Sequence, residues 1–216
     1  MLTREQFLPY EMRIVAGLRT QGASDEQVIV RVKSDNLFQY PTERMVANRA
    51  TVCLRRLDAM VPTDAACAAR GIDPNTAVEA ASSLTSLMAS GTPTQADQTI
   101  FYSMICRYDI VRELVLVEVG ERLQNFDYAF TAVDLNAFMT RFTTEYPDAA
   151  RWTESTVTRI KGSLRQTLRH AGLIGEGMGP ESERLSPLFL DPDVEQALMQ
   201  LGEQPLIAAL TGRVVM

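Results

Sequence analysis

Between Thr153 and Ala171 the apolar residues Val157, Ile160, Leu164 and Leu168 recur at intervals of three or four. A helix turns once every 3.6 residues, so this spacing sets all four on one side and predicts an α-helix with a buried stripe. The far side carries Ser155, Thr158, Arg159, Gly162, Gln166 and Arg169, flanked by Lys161 and Arg165. Every formal charge after Glu154 in this stretch is positive, although the whole chain is acidic, with net charge -6. A face of one sign concentrates anions, and phosphates are the commonest. Ser155, Thr158 and Gln166 add uncharged groups suited to phosphate or base-edge contacts. A docking face for an acidic protein would have the same composition.

The same spacing recurs near the N-terminus. Val46, Ala50, Cys53 and Leu57 form a stripe, and the opposite face holds Arg44, Asn48, Thr51 and Arg55. Pro41 opens this helix, where a missing N–H is harmless. The helix before it starts at Ser24 and Gln27, a capping-box pair, with Val28, Ile29 and Val32 inward. A first helix covers Arg4 to Thr20, with Pro9 in its first turn or cutting it short. Helix, connection and helix with an Arg/Asn/Thr outer face is the outline of a helix-turn-helix, though a merely solvated face looks alike.

Residues 61–98 are rich in Ala, Ser, Thr and Pro and predict short helices at 63–70 and 75–89. The loop Ser90 to Thr94 predicts a boundary between domains 1–92 and 93–216. A long helix is expected from Ala96 to Asn125, then one capped by Asp134 and running to Tyr146, with Leu135, Phe138, Met139 and Phe142 inward. Gly172 ends the basic helix. Leu173-Ile174 and Leu185 to Leu190 read as two strands around a turn-rich loop, the second at a sheet edge because of Pro187. A last helix spans Asp193 to Leu201, and the tail from Leu206 is apolar enough to dock on the core. The expected fold is mainly α, with a helix-turn-helix-like N-terminal half and a winged-helix C-terminal half bearing a small β-wing.

Catalysis finds no support. There is one histidine, and the three cysteines, Cys53, Cys67 and Cys106, show no CxxC spacing, as in a reduced cytosolic protein. No P-loop, GxGxxG, HExxH or GxSxG occurs. No catalytic residue, metal site or cofactor is expected. His170 suits the C-terminus of its helix as a cation, and Trp152 suits a packing anchor at the helix start. The most apolar run, Ile100 to Val119, contains Arg107, Asp109, Arg112, Glu113 and Glu118, too many charges for a membrane span. The charged N-terminus does not read as a signal peptide, and a cytoplasmic location is expected. All but two of the 21 basic residues are arginine, the residue that forks onto phosphate and guanine.

Two stretches carry a resemblance. Asp35-Asn-Leu-Phe-Gln39, with Thr42 and Arg55-Arg-Leu57, is similar to the N-terminal signature of the BrxA family of BREX phage-defence systems. Trp152-Thr-Glu-Ser-Thr156, continuing to Leu168-Arg-His-Ala-Gly-Leu-Ile174, resembles that family's C-terminal signature. The resemblance implies a small non-enzymatic member of a multi-gene defence locus, binding DNA through helix-turn-helix and winged-helix elements. Carried over by position, the contact helices are 41–58 and 153–171. The expected contacts are Ser155, Thr158, Arg159, Lys161, Arg165, Gln166 and Arg169 on one, and Arg44, Asn48 and Arg55 on the other. The expected partners are duplex DNA and other BREX proteins, with no membrane. Two other readings stand beside this one: an adaptor that assembles the defence complex, and an RNA-binding factor of the antitermination type.

Overall fold

A computed structural model describes residues 6–175 and 183–213. The chain divides into two compact units. One comprises Phe7–Arg107 with Leu190–Glu203, and the other holds Tyr108–Phe189 and the chain from Gln204 onward.

The first unit is built of α1 (Pro9–Thr20), α2 (Asp25–Ser34), α3 (Glu43–Ala59), α4 (Asp64–Arg70), α5 (Pro74–Ser90) and α6 (Pro93–Arg107), joined by the later α11 (Pro192–Gln200). Its starts follow from local chemistry. Pro9 and Pro74 occupy first-turn positions, Ser24 and Gln27 complete the expected capping box, and Thr42, Thr63 and Asp73 each accept a backbone N–H at a helix N-terminus. Helix α5 lies between α1, α6 and α11, while α3 rests on α1, α2 and α6. The stripe Val46, Ala50, Cys53 and Leu57 is buried as its spacing requires. Burial raises the Cys53 thiol to a pKa of about 12, the main cause being loss of solvent. The Arg55-Arg56 pair splits: Arg55 faces out, and Arg56 is buried with its guanidinium donating to the Phe7 carbonyl at 3.1 Å.

The Ser90–Thr94 segment proves to be a corner inside this unit, and the units part at Arg107 and Tyr108. Thr92 and Gln95 cap α6 reciprocally, at 2.9 and 3.2 Å, and Arg13 holds the Gly91 carbonyl at 3.2 Å. Gly and Pro mark a change of direction, and nothing in their chemistry distinguishes a corner from a linker. The α2–α3 connection, 35–42, is also longer than the three- or four-residue turn of a helix-turn-helix.

The second unit begins where the expected 96–125 helix breaks. Tyr108 is extended, and its carbonyl accepts from Val111 at 2.9 Å and Arg112 at 3.1 Å, starting α7 (Asp109–Glu113). A π-helical stretch (Leu114–Val119) runs on into α8 (Gly120–Gln124). Apolar periodicity continues through the break and cannot register one residue changing conformation. Next come α9 (Ala132–Glu145), a short 3-10 turn (Ala149–Arg151) and α10 (Glu154–His170). The cap of α9 is Thr131, not Asp134, which sits three residues in and completes a capping box. The tail forms α12 (Gln204–Thr211), whose Leu206, Ile207, Ala208, Ala209 and Leu210 are all buried. It lies along the π-helical stretch and α8.

The two expected strands do not form among the described residues. In their place are isolated antiparallel bridges, Ala129 to Arg184 and Ile174 to Leu185. Leu185 donates to Tyr128 and Ser186 to Leu173, both at 2.9 Å. Pro187 has no N–H to extend the ladder, and Leu188 donates instead to the Leu210 carbonyl of α12 at 2.8 Å. Phe189, placed by sequence in the second strand, is exposed. Of the expected wing, 176–182 lie outside the described residues.

Candidate nucleic-acid interface

Thr153 caps α10 by accepting from the Thr156 amide at 3.3 Å. Ile160, Leu164 and Leu168 are buried, with Thr167 beside them, and α10 lies against α9. Val157, at the start of the stripe, is only half-buried. Trp152 stacks on Phe142 of α9, with 6.0 Å between ring centroids, and Phe142 in turn stacks on Tyr146 at 4.2 Å. The aromatic residue before the basic helix is thus a packing anchor that fixes where α10 starts.

Ser155, Thr158, Arg159, Gln166 and Arg169 are exposed. At about 100° per residue they share one face of roughly a 100° arc, with Lys161 and Arg165 at its edge. The arginines on it differ in kind. Arg159 makes no hydrogen bond or ion pair among the described residues. Lys161 is half-buried and donates to the Asn136 side chain of α9 at 2.8 Å. Arg165 and Arg169 both turn to Glu183, whose side chain is fully buried. Arg165 Nε stands 2.8 Å from Glu183 Oε2 and is 22% exposed as a side chain, whereas Arg169 is 47% exposed. One carboxylate therefore answers two of the four cations counted on this helix. At the end of the face, Gln166 contacts the His170 ring at 3.5 Å in the last turn.

On α3, Arg44, Asn48 and Arg55 are exposed and make no hydrogen bond or ion pair among the described residues. Offsets of four and seven residues keep the three within about 40° of one line along the helix. This second face belongs to the other unit.

Sequence reasoning missed Glu183 and Asn136. Glu183 lies 14 residues beyond Arg169 in the chain and outside α10, so no helical spacing links it to the arginines. Asn136 reads as an ordinary solvent-facing residue of α9. Among the described residues no group of three or more His, Cys, Asp or Glu could hold a metal ion, and no helix is long and apolar enough to cross a membrane.

Comparison with known proteins gives three findings. A BREX protein BrxA of Escherichia coli O9:H4 (strain HS) is 23% identical over 127 residues, covering 59% of this chain. The match spans 58% of the length of that curated relative. A crystal structure of an uncharacterized protein from Magnetospirillum magneticum superposes with a TM-score of 0.74 at 16% identity, covering 98% of this chain and 97% of the other, which shows a shared fold. The BrxA family pattern matches residues 1–202, so this chain belongs to the BrxA family.

Proposed function

We propose that this chain is a non-enzymatic component of a BREX-type bacteriophage-defence system that contacts duplex DNA through α10 and α3. Its place in defence rests on family membership and on the name of the Escherichia coli relative. The DNA reading rests on one observation. Helix α10 presents Ser155, Thr158, Gln166 and an Arg159 that has no partner among the described residues on a single exposed face.

The setting of α10 supports the same reading. In chain order come α7, the π-helical stretch and α8, then the bridge residue Ala129, α9, α10 and the bridge residues Ile174, Arg184 and Leu185. Residues 184–185 bridge to 129 on one side and to 174 on the other. On this reading the two bridges stand where a winged helix has strands; in helix-turn-helix folds the second helix of the pair enters the major groove. Arg159 then meets phosphate or a base edge, and Arg44, Asn48 and Arg55 supply contacts from the other unit.

The test is fluorescence anisotropy on a labelled duplex of about 30 base pairs across a salt series, comparing wild type with Arg159→Gln and with a triple Arg44→Gln/Asn48→Ala/Arg55→Gln variant. Each phosphate contact contributes about 0.9 to the slope of log affinity against log salt. Arg159→Gln should remove about that much, and the triple variant roughly twice as much. A wild type that ignores duplex at low salt ends the DNA reading.

An adaptor role is the second reading, favoured by exposed Phe126 and Val133, which are 76% and 73% exposed. Capture of other defence proteins that survives nuclease treatment supports it, and loss of capture on nuclease treatment returns the case to DNA.

A further inference from the structure

Arg165, Arg169 and Glu183 form a closed set on the basic side of α10. Glu183 has no exposed side-chain surface, and its two oxygens face one arginine each: Oε2 meets Arg165 and Oε1 meets Arg169. A guanidinium pairs with a carboxylate or a phosphate through the same N–H groups, so a carboxylate held against it competes with an external phosphate. A buried carboxylate stripped of its cations is costly, which makes this occupant hard to displace. The guanidinium of Arg165 is itself sunk: Nε and Nη2 are buried and, like Glu183 Oε2, make no hydrogen bond among the described residues, so Arg165 and Glu183 meet as an ion pair alone. Arg169 is nearly half exposed and is the partner able to swing away.

We propose that Glu183 is a built-in stand-in for a ligand anion: it pairs with Arg165 and Arg169, one oxygen to each, and leaves Arg159 as the arginine of this face that answers to an external phosphate. The inference rests on reading α10 as an anion-binding helix. It makes Glu183 a positioning residue that sets how many cations the face offers. Arg165 is a structural counter-ion, Arg169 a reserve contact held in check, and Arg159 the working contact. The carboxylate thereby restrains charge-driven, sequence-independent binding, which scales with the number of phosphates engaged.

The experiment compares wild type, Arg159→Gln, Arg169→Gln, Glu183→Gln and the Glu183→Gln/Arg169→Gln double variant on the same duplex and salt series. Arg159→Gln should lower the salt slope by about 0.9, while Arg169→Gln should change it by less than about 0.3. Glu183→Gln should raise the slope by about 0.9 and tighten binding about eightfold at roughly 0.1 M salt, and adding Arg169→Gln should cancel that gain. Equal slope losses from Arg159→Gln and Arg169→Gln overturn the proposal, and they do so even if the Glu183 variants fail to fold. A second readout needs no DNA: phenylglyoxal modification of each arginine, followed by peptide mass spectrometry. Arg169 should react more slowly than Arg159 in wild type and equally fast in Glu183→Gln. Equal rates in wild type overturn the clamp. If no variant binds duplex, the functional reading fails, and the reagent rates alone decide whether Glu183 withholds Arg169.

Discussion

Asn36 closes on Tyr40 twice: its side-chain amide donates to the Tyr40 carbonyl at 3.0 Å, and its side-chain oxygen accepts from the Tyr40 amide at 3.2 Å. The two bonds tie the α2–α3 connection into a loop. Phe38 is buried inside it, and two non-glycine residues are held in the left-handed region, Asn36 at φ 44° and Gln39 at φ 57°. Asparagine tolerates that conformation better than most residues, and its side chain bonds readily to nearby backbone. This is the structural content of the Asp35-Asn-Leu-Phe-Gln39 signature.

Asn36→Ala should lower stability by about 2 kcal/mol, from two lost bonds and a side chain ill-suited to positive φ. Asn36→Gly keeps the conformation and should lose about 1 kcal/mol. Gln39→Gly relieves strain without losing a bond and should be neutral or stabilising by about 0.5 kcal/mol. Urea unfolding of the three variants checks the order, and a Gln39→Gly variant weaker than Asn36→Ala contradicts it.

Tyr40 also donates its hydroxyl to buried Glu11 of α1. Burial, and then the hydrogen bond to Glu11, raise the Tyr40 pKa to about 12. An unfolded tyrosine ionises near pH 10, so the folded state holds this proton more tightly. The resulting stability is fully present below about pH 10 and is lost as pH rises through about 12. Tyr40→Phe should cost about 1–2 kcal/mol at pH 8 and remove part of the alkaline decline. Parallel pH profiles that never converge above pH 10 would sink this account.

Arg122 gathers the start of α9. It meets Asp127 at 2.6 Å, Asp134 at 2.7 Å and the Ala129 carbonyl at 3.0 Å, with Glu118 at 3.9 Å. Burial alone would raise the Asp134 pKa, but hydrogen bonds from Thr131 and the charge of Arg122 outweigh it and hold the carboxyl below its ordinary value. A depressed carboxylate contributes stability above its unfolded pKa and loses it as pH falls through the folded value. Arg122→Met should cost about 2 kcal/mol near pH 7, and its difference from wild type should shrink below about pH 4. Thermal melts across the acid range read this directly, and a constant gap excludes the charge account.

Gly120 begins α8 where the chain leaves its π-helical stretch. A Cβ there would stand 2.7 Å from Ala209 Cβ and 3.1 Å from its Cα on α12. Alanine ordinarily favours a helix over glycine by about 1 kcal/mol. Here the collision should reverse the sign, and Gly120→Ala should destabilise by about 1–3 kcal/mol. Ala209→Gly in the same chain should recover part of the loss, and a double variant no better than the single places the strain elsewhere.

Much of the architecture was legible beforehand because it is local. The stripes Val46–Leu57 and Ile160–Leu168, the Ser24–Gln27 box, Pro9 and Pro74 each settle a helix from residues a few positions apart, and so does the direction in which Arg159 and Arg44 face. Tertiary structure decided what depends on distant partners. Pairing with Tyr128 and Leu173 while Pro187 stops the ladder reduced two expected strands to bridges. The Thr92–Gln95 cap turned an expected boundary into a corner. Glu183, outside α10, pairs with two arginines that helical spacing sets on the face expected to meet a ligand. Periodicity reports which face of an element a residue occupies, and the charge left on that face depends on what the rest of the chain brings to it.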